Sequence, residues 1–397
     1  MPLTTNNDLP DPHSPHLVLS HPTSEELVII STNTSVEWKD SLTLPVYLKE
    51  SSFLATVPLA RDGGLTPWIL VDKALAPGRR QILSSCESFR KRSLTSNAAG
   101  HVQENIVHGI ASVFCAPEYR GRGYPQRMMR ELAKQLVTWQ TAGTRCIGSI
   151  LYSDIGKSYY AKLGWHPNTS NSQVEFKPLS IAKSPSIRDV RAADLQALCE
   201  RDEQLLRKNM ATPSPDTRTR MAIIPDLDHV CWHLAKEEFA CEHLFGKIPQ
   251  AKGASVGPDG SQVWAIWTHR YYSRHDDDSS NNVLYILRLV MEADETATRL
   301  PSDAEKFLDG EKYNEQKGYL KAVLQAAQAE AFEWKLDVVV LWDPTPLVCH
   351  MLTQMDMNHV VVERDEDSIA SGLWYDEKGG ICDAAPLWVN NEHYAWL

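Results

Sequence analysis

Several features that define other protein classes are missing from this sequence of 397 residues. Its eight cysteines form no CxxC pair, which disfavours both a disulfide scaffold and a zinc site. No run of eighteen apolar residues occurs, and the amino terminus lacks the basic and apolar regions of a secretory signal. No block of five or six like charges provides a basic arm for nucleic acid. These absences predict a protein without a metal, a membrane segment or a nucleic-acid partner.

The composition that remains indicates a globular intracellular protein. With 40 basic and 51 acidic residues, the formal net charge is −11, which favours a small or cationic partner over DNA. Reduced, packed thiols are the expected state of the dispersed cysteines. We therefore expect a cytoplasmic protein, with a peroxisomal or mitochondrial location and the oligomeric state left open.

The length favours two domains, because a single core seldom supports so many residues. Residues 1–15 are polar and contain four prolines, and we predict that they form a disordered leader. A polar stretch from about residue 181 to 191 predicts the domain boundary. The first domain is then expected over residues 16–185 and the second over residues 186–397.

The hydrophobic pattern predicts a mixed α/β fold in the first domain. Strands are expected within residues 65–74, 79–93 and 104–116, where β-branched and aromatic residues lie between turn signals. An amphipathic helix opened by Pro125 follows, and then a strand within residues 146–154. The strands before the helix are expected to be antiparallel neighbours.

The second half repeats this order of elements. Two strands, a helix, a strand, a second helix and a last strand are predicted between residues 262 and 366. An acidic insert between Glu292 and Lys317 occupies the place of the short turn in the first half. We interpret the second half as a copy of the architecture that has lost its ligand loop, with a generic second α/β domain as the alternative.

A basic, glycine-rich turn leads from the third strand into the helix. It runs Arg-Gly-Arg-Gly-Tyr-Pro-Gln from Arg120 to Gln126. A helix that starts at such a turn presents unpaired backbone N–H groups and the positive end of its dipole, an arrangement that binds phosphate. Gly121 and Gly123 permit close approach of an anion, and Arg120 and Arg122 add charge. The turn fits neither the Walker pattern nor G-x-G-x-x-G. Its interpretation is a pyrophosphate site, with a solvated turn as the alternative.

Two motifs in this order make residues 17–180 resemble the GNAT superfamily of acyl-CoA-dependent N-acetyltransferases. The turn resembles their R-x-x-G-x-G/A signature between the fourth strand and third helix, with Pro125 in place of the last small residue. Downstream, Tyr160 lies four residues before Gly164-Trp165, which resembles their Y-x-x-x-G-F/W element. The resemblance implies a mixed, mostly antiparallel GNAT-type sheet flanked by helices, and a second, degenerate GNAT-like α/β domain. It also implies acetyl-CoA as cosubstrate and no metal.

A narrower resemblance spans nearly the whole chain. The segments LARDGGLTPWILVD, VFCAPEYRGRGYPQRMM, LYSDIGKSYYAKLGW and PLWVNNEHYAWL are similar to the fungal lysine N6-acetyltransferases of lysine degradation. This similarity implies that the side-chain amine of free L-lysine attacks acetyl-CoA directly. Three alternatives stay open: acetylation of protein lysines, of polyamines or of an aminoglycoside-like amine. A fourth is a non-catalytic acyl-CoA-binding protein.

The resemblance also assigns roles around the donor. Main-chain groups of the strand end and turn would hold the CoA: Val113, Phe114, Cys115, Arg120, Gly121, Arg122, Gly123, Tyr124 and Gln126. Tyr160 would be the general acid, since a phenol with a pKa of about 10 stays protonated at neutral pH. An aromatic core residue is the alternative for Tyr160. A buried structural thiol is favoured over a nucleophile for Cys115.

The general base and the substrate contacts are less defined by the sequence. Glu104 and His108 lie on the strand where the superfamily often places a carboxylate. The carboxylate of Leu397 is a third candidate, because the terminus is aromatic and apolar and resembles the tail that enters the active site of the aminoglycoside enzymes. A tail that packs only on its own domain is the alternative. Candidate substrate contacts are Trp38, Asp154 and Glu392.

Overall fold

The structure is a computed structural model that describes residues 9–214, 216–274, 280–294, 310–382 and 384–397. Its strands are β1 (Leu17–Ser20), β2 (Leu65–Asp72), β3 (Ser84–Ser96), β4 (Val102–Phe114), β5 (Cys146–Ser153), β6 (His166–Pro167), β7 (Ser172–Phe176), β8 (Arg188–Val190), β9 (Arg220–Ile223), β10 (Gly253–Val256), β11 (Val263–Arg270), β12 (Val283–Met291), β13 (Val338–Trp342), β14 (Val360–Glu363), β15 (Ile369–Trp374) and β16 (Leu387–Trp388). Its α-helices are α1 (Ser24–Trp38), α2 (Leu44–Leu54), α3 (Tyr124–Leu136), α4 (Ser158–Ala161), α5 (Leu195–Ala211), α6 (Leu227–Phe245), α7 (Gly310–Glu333) and α8 (Pro346–Thr353).

The first sheet positions the glycine-rich turn. Within the described residues its strands follow the order β1, β2, β3, β4, β5, β15, β6, and β9 and β16 extend it beside β3. Neighbours are antiparallel except that β4 pairs in parallel with β5 and β9 with β16. The chain leaves β4, crosses the sheet through α3 and returns as β5. The turn from Arg120 to Gln126 therefore lies at the carboxyl ends of β4 and β5.

The second sheet has the same central topology. Its order is β14, β7, β13, β12, β11, β10, β8 among the residues described. The strands β12 and β13 are parallel and are connected through α7, as β4 and β5 are connected through α3. The predicted order of elements in the second half is confirmed. The acidic insert falls mostly on residues 295–309, which lie outside the described residues.

Each sheet contains strands from the other half of the chain, since β9, β15 and β16 of the second half belong to the first sheet. β7 follows the first-sheet strands in sequence but pairs with β13 and β14 of the second sheet. In return β15, near the carboxyl end, pairs with β5 and β6 of the first sheet. The two sheets thus do not separate at any single point of the sequence. The domain boundary near residue 185 therefore remains a prediction. β7 lies before that boundary in sequence but belongs to the second sheet.

Of the disordered leader predicted over residues 1–15, residues 1–8 lie outside the described residues, and residues 9–15 contact the first domain. From Leu9 onward the segment lies along the start of α3, where the Tyr124 hydroxyl donates to Pro10 O at 2.6 Å. Arg127 donates through Nη1 to Pro12 O at 2.9 Å and through Nη2 to Leu17 O at 3.2 Å. These bonds order residues 9–15. Local sequence patterns do not predict this order, because the groups that hold the segment lie more than a hundred residues away in sequence.

Each face of the first sheet covers a different core. The α3 face buries the apolar side of that helix, including Met128, Met129 and Leu132, as its periodicity predicts. The opposite face packs toward the second sheet and α6, and it receives the carboxyl-terminal tail. Among the described helices, none is both long and apolar enough to cross a membrane.

Candidate functional site

The glycine-rich turn forms a nest of backbone donors at the start of α3. Gly121 and Gly123 have φ of 76° and 86°, in the left-handed region that favours glycine, and Gly123 is the N-cap of the helix. The N–H groups of Gly121, Gly123, Tyr124 and Gln126 donate to no main-chain carbonyl of the described residues. A side chain at Gly121 would extend into open space, but the adjacent N–H groups would then be harder to approach. This geometry fits a phosphate or pyrophosphate group.

Polar side chains of the turn are arranged around the same point. Gln126 Oε1 is buried and has no hydrogen-bond partner among the described residues. Arg120 donates through Nε to Cys115 O at 3.0 Å and lies 3.5 Å from Glu37, while its side chain remains half-exposed. The arginine therefore fixes the backbone of the turn and leaves positive charge at its surface.

A bulge at the end of β4 separates this strand from β5. The pairing of β4 with β5 ends at Ile110 and Leu151, so the last residues of β4 have no partner on that side. On the other side the register with β3 shifts, because Ser85 pairs with Phe114 whereas Glu87 pairs with Ala111. Strands that diverge in this way leave main-chain groups of Val113 and Cys115 open to a ligand.

The bulge also contains a strained residue. Ser112 has φ of 54°, which costs a non-glycine residue about 1–2 kcal/mol. Its hydroxyl donates to Glu87 Oε2 at 3.0 Å, a charge-assisted bond that helps to hold the strained backbone. Beside the bulge, Trp38 meets the ring of Phe114 edge-on, with centroids 6.1 Å apart. Trp38 therefore lies next to the end of β4.

Tyr160 lies on the α3 face of the sheet, near the end of β4. It is buried in α4, and its ring meets Tyr159 edge-on at 5.0 Å. Burial raises the pKa of Tyr160, with smaller contributions from Tyr159 and Cys86. A phenol in this setting remains protonated at neutral pH and has a proton to give.

Cys115 has the properties of a structural thiol. Its Sγ donates to Leu83 O at 3.4 Å, and burial raises the pKa of Cys115 to about 11. A thiol with that pKa is almost entirely protonated at neutral pH, so it is a poor nucleophile.

The carboxyl-terminal tail crosses to the first sheet and ends on β4. Lys91 of β3 donates to Ala395 O at 3.0 Å. A Cβ on Gly109 would come within 3.1 Å of Leu397 Cδ1 and 2.5 Å of Lys91 Cε, so glycine provides the space in which the tail lies. The Tyr394 hydroxyl fixes the tail further by donating to Ile223 O at 2.6 Å. Leu397 therefore packs against Gly109, which lies two positions before Ala111 on β4. This contact is on the face of the sheet opposite to α3.

The same face carries a carboxylate that the sequence did not single out. Residues directly opposite in an antiparallel pair share a face, which groups Glu87 with Ala111 and Phe89 with Gly109. Leu397 packs in one cluster with Phe89 and Ala111. Burial raises the pKa of Glu87, and its bond to Ser112 opposes that shift. Glu87 therefore lies beside the split between β4 and β5, on the side from which the tail arrives.

The two other candidate bases lie elsewhere. Glu104 is about ten residues, or roughly 33 Å, from the end of β4 and is paired with Arg92 at 3.1 Å and Arg207 at 2.8 Å. Those arginines lower the pKa of Glu104. His108 is completely buried on the α3 face, 3.5 Å from Cys146 Sγ, and burial lowers its pKa to about 4. Neither residue is placed where a base is required.

Two of the three proposed substrate contacts have structural partners. Glu392 is buried against Arg288 and accepts the N–H of Leu289 at 2.8 Å. Burial raises the pKa of Glu392 to about 7. Asp154 follows β5 directly and accepts the N–H of Ser368 at 2.8 Å. Glu392 thus holds the tail in place, whereas Asp154 remains at the edge where β4 and β5 diverge.

The residues that sequence analysis missed all depend on strand pairing. Alternation along β3 places Glu87 on one face with Phe89 and Lys91, but only the register with β4 shows that the bulge lies opposite. No group of three or more metal-ligating side chains occurs among the described residues.

Comparison with solved structures identifies the architecture. Saccharomyces cerevisiae N-myristoyltransferase with bound myristoyl-CoA aligns over 92% of this chain and 80% of its own, with a TM-score of 0.51 and 10% identity. A GCN5-related N-acetyltransferase from Kribbella flavida aligns over 91% of this chain and 71% of its own, with a TM-score of 0.49 and 14% identity. At such identities the likeness to the yeast enzyme is one of fold.

Sequence comparison is more specific. A protein of Yarrowia lipolytica named "Lysine acetyltransferase" is 22% identical over 324 residues, which cover 71% of this chain and 77% of that protein. A family model described as "LYC1 GNAT-like C-terminal domain" matches residues 173–397, more than half of the chain. Together with the split sheet, these matches define an acyltransferase of the GNAT class, which uses a coenzyme A thioester and an amine-bearing substrate. Within that class, the chain belongs to the LYC1-like GNAT family.

Proposed function

We propose that this protein transfers the acetyl group of acetyl-CoA to the side-chain amine of free L-lysine and so forms N6-acetyllysine, as in lysine breakdown. The observation that carries the proposal is the split between β4 and β5. A turn with unpaired backbone N–H groups and a phenol lie on one of its faces, and a half-buried carboxylate and the chain terminus lie on the other. The name of the Yarrowia relative supports lysine as the acceptor.

The geometry of the split supports a different role for each face. The donor's pyrophosphate would bind the N–H groups of Gly121, Gly123, Tyr124 and Gln126, and its acyl end would reach the diverging strands. Main-chain donors at the end of β4 suit a carbonyl oxygen that gains negative charge, because they are oriented before the reaction. The acceptor would approach from the opposite face.

Acetyl transfer also requires three proton movements. The ammonium of lysine, with a pKa of about 10.4, must lose a proton before its nitrogen can attack. Glu87 or the carboxylate of Leu397 would accept that proton, directly or through water. The new C–N bond forms at the thioester carbon as the C–S bond breaks, and Tyr160 would protonate the departing thiolate. The nitrogen then loses its second proton to water, which returns a proton to the Tyr160 phenolate and leaves the neutral amide.

The experiment is a measurement of free thiol with acetyl-CoA and a panel of amines. L-lysine is expected to give the highest kcat/KM, ahead of spermidine, a lysyl peptide and an aminoglycoside. Each product should be identified by mass spectrometry as acetylated at the side-chain nitrogen. Higher kcat/KM with any of the other three amines would overturn lysine as the acceptor.

A further inference from the structure

A buried arginine lies beside the acceptor face without an acceptor for its terminal nitrogens. Arg364 follows β14, its side chain is 5% exposed, and its Nε donates to Asn171 O at 3.1 Å. Its Nη1 and Nη2 are buried and make no hydrogen bond within the described residues. The nearest carboxylate, on Asp343, is 3.8 Å away. A buried guanidinium with two unused donors is costly unless an anion or water satisfies them.

The surroundings of Arg364 favour an anion that arrives with an apolar chain. The guanidinium lies 3.6 Å from the ring centroid of Trp342. From Trp342 the aromatic contacts continue to His393 at 4.5 Å and from there to Tyr285 at 3.9 Å. Such rings pack well against methylene groups and leave the guanidinium as the polar end of the site.

These rings lead to a small cleft of about 20 Å³, which is lined by α6, by the β11–β12 hairpin of the second sheet and by the carboxyl-terminal tail. His393 and Tyr285 line this cleft together with Arg270, Tyr272 and Trp396. Arg270 is also a cation, but it already has a partner, since its Nη2 lies 2.9 Å from Asp40. Arg364 is therefore the guanidinium with an unused pair of donors at this aromatic cluster.

The carboxyl-terminal tail connects the cleft to the split. Trp396 lines the cleft, and the next residue, Leu397, lies on Gly109 beside Glu87. Along this path the guanidinium of Arg364 comes first and the aromatic rings follow. The carboxylates of Glu87 and Leu397 come last, next to the proposed position of the thioester. A lysine acceptor has the complementary order, with a carboxylate, four methylene groups and an ammonium.

We propose that the terminal nitrogens of Arg364 bind the α-carboxylate of a free amino-acid acceptor and thereby set the specificity of the enzyme. This inference rests on the proposed function and adds the residue that distinguishes a free amino acid from a simple amine or a peptide lysine. Two parallel N–H···O bonds from one guanidinium match a carboxylate. The binding is non-covalent and leaves the acetyl-transfer step unchanged.

The test compares L-lysine with cadaverine, which has the same amine and chain but no carboxylate. We expect the wild-type protein to prefer lysine, and Arg364→Gln to raise KM for lysine roughly 10- to 100-fold, as loss of a charged hydrogen-bonded contact does. Turnover of cadaverine should change little. Arg364→Lys should restore part of the preference, since it keeps the charge and loses the paired geometry.

A matched control removes a buried arginine elsewhere. Arg220 is buried and donates through Nη2 to Met210 O at 2.8 Å and Thr212 O at 2.7 Å. Arg220→Gln is expected to keep the wild-type ratio of lysine to cadaverine, because a general loss of stability lowers both activities together. An unchanged ratio in Arg364→Gln, or no preference in the wild-type protein, would overturn the proposal while acetyl transfer stands.

A binding measurement separates this inference from the proposed function. L-norleucine has the α-carboxylate of lysine and no side-chain amine, so it cannot be acetylated there. Calorimetry in the presence of CoA should show binding to the wild-type protein and at least tenfold weaker binding to Arg364→Gln. Equal binding to both would refute the carboxylate subsite. Absence of thiol release with every amine would refute the proposed function and leave the norleucine result to decide the subsite.

Discussion

Tyr160 and Tyr159 are adjacent phenols with different expected importance. Tyr160→Phe removes the hydroxyl while it keeps the buried ring, so we expect kcat to fall by about 10²–10⁴-fold if the phenol protonates the leaving thiolate. Affinity for acetyl-CoA, measured by calorimetry, should stay within about twofold, since the turn that binds phosphate is untouched. Tyr159→Phe is the matched control, and it should retain activity. Equal kcat for wild type and Tyr160→Phe would exclude the acid role.

Glu87 should control the acidic side of the pH profile. Burial raises the pKa of Glu87, so its carboxyl stays protonated to a higher pH than an exposed glutamate and accepts a proton only above that pKa. We expect kcat/KM to fall with decreasing pH through this titration in the wild-type protein. Glu87→Gln should lose about 10²–10⁴-fold in kcat/KM and also lose this acidic limb.

Stability gives an independent view of the same residue. A carboxyl with a raised pKa in the folded state binds its proton more tightly there than in the unfolded chain, so its contribution to stability decreases as pH rises above about 4.3. Glu87→Gln removes that loss and should be at least as stable as the wild type at pH 8, despite its lower activity. Glu175→Gln on β7 is the surface control. A destabilised, fully active Glu87→Gln protein would show a purely structural role.

At the scale of elements, the carboxyl-terminal tail permits a clean separation of packing from charge. Adding two glycines after Leu397 moves the terminal carboxylate by up to about 7 Å and keeps the leucine side chain against Gly109. If the carboxylate contributes to the acceptor site, kcat/KM for lysine should fall at least tenfold while the melting temperature changes little. Two glycines added at the amino terminus are the control.

Deletion of the last four residues is a harsher version of this test. It removes the Tyr394 bond to Ile223 O and the Ala395 carbonyl to which Lys91 donates. Burial lowers the pKa of Lys91 to about 7, and the loss of its acceptor would expose it to water. We expect loss of both stability and activity. Full activity after the extension would remove the carboxylate from the mechanism.

These elements also show what the sequence could predict. The amphipathic face of α3, Pro125 at its start and the positive-φ glycines of the turn follow from local rules, and the structure has them where those rules place them. The roles of Glu87 and Arg364 were not predictable in this way, because each depends on contacts with a strand or an aromatic ring that is distant in sequence. Glu104 and His108 lie away from the split for the same reason. The sequence predicts that both residues lie on β4. It does not predict which face and which end of that strand lie at the split.

At the scale of the whole molecule, the exchange of β7 and β15 makes the two halves dependent on each other. Residues 16–185 alone would lack β15, which leaves the edge of β5 unpaired, and would carry β7 without its partners β13 and β14. Unpaired edges of this kind favour aggregation. A half expressed alone is therefore expected to be insoluble or unfolded.

Proteolytic cleavage of the chain between the two halves should be tolerated, whereas physical separation of the halves should not. Pro185 and Ser186 are exposed and lie between β7 and β8, so a protease site inserted there can be cleaved in the folded protein. After cleavage, each fragment still provides at least one strand to the sheet of the other, and backbone hydrogen bonds join the fragments along β7, β9 and β15. We expect the two pieces to elute together from a sizing column, to retain acetyl transfer and to unfold in one transition at a lower temperature that depends on protein concentration. The control is the uncleaved insertion, whose transition should not depend on concentration. Fragments that separate without denaturant, each remaining folded and soluble, would show that the exchanged strands do not couple the two halves.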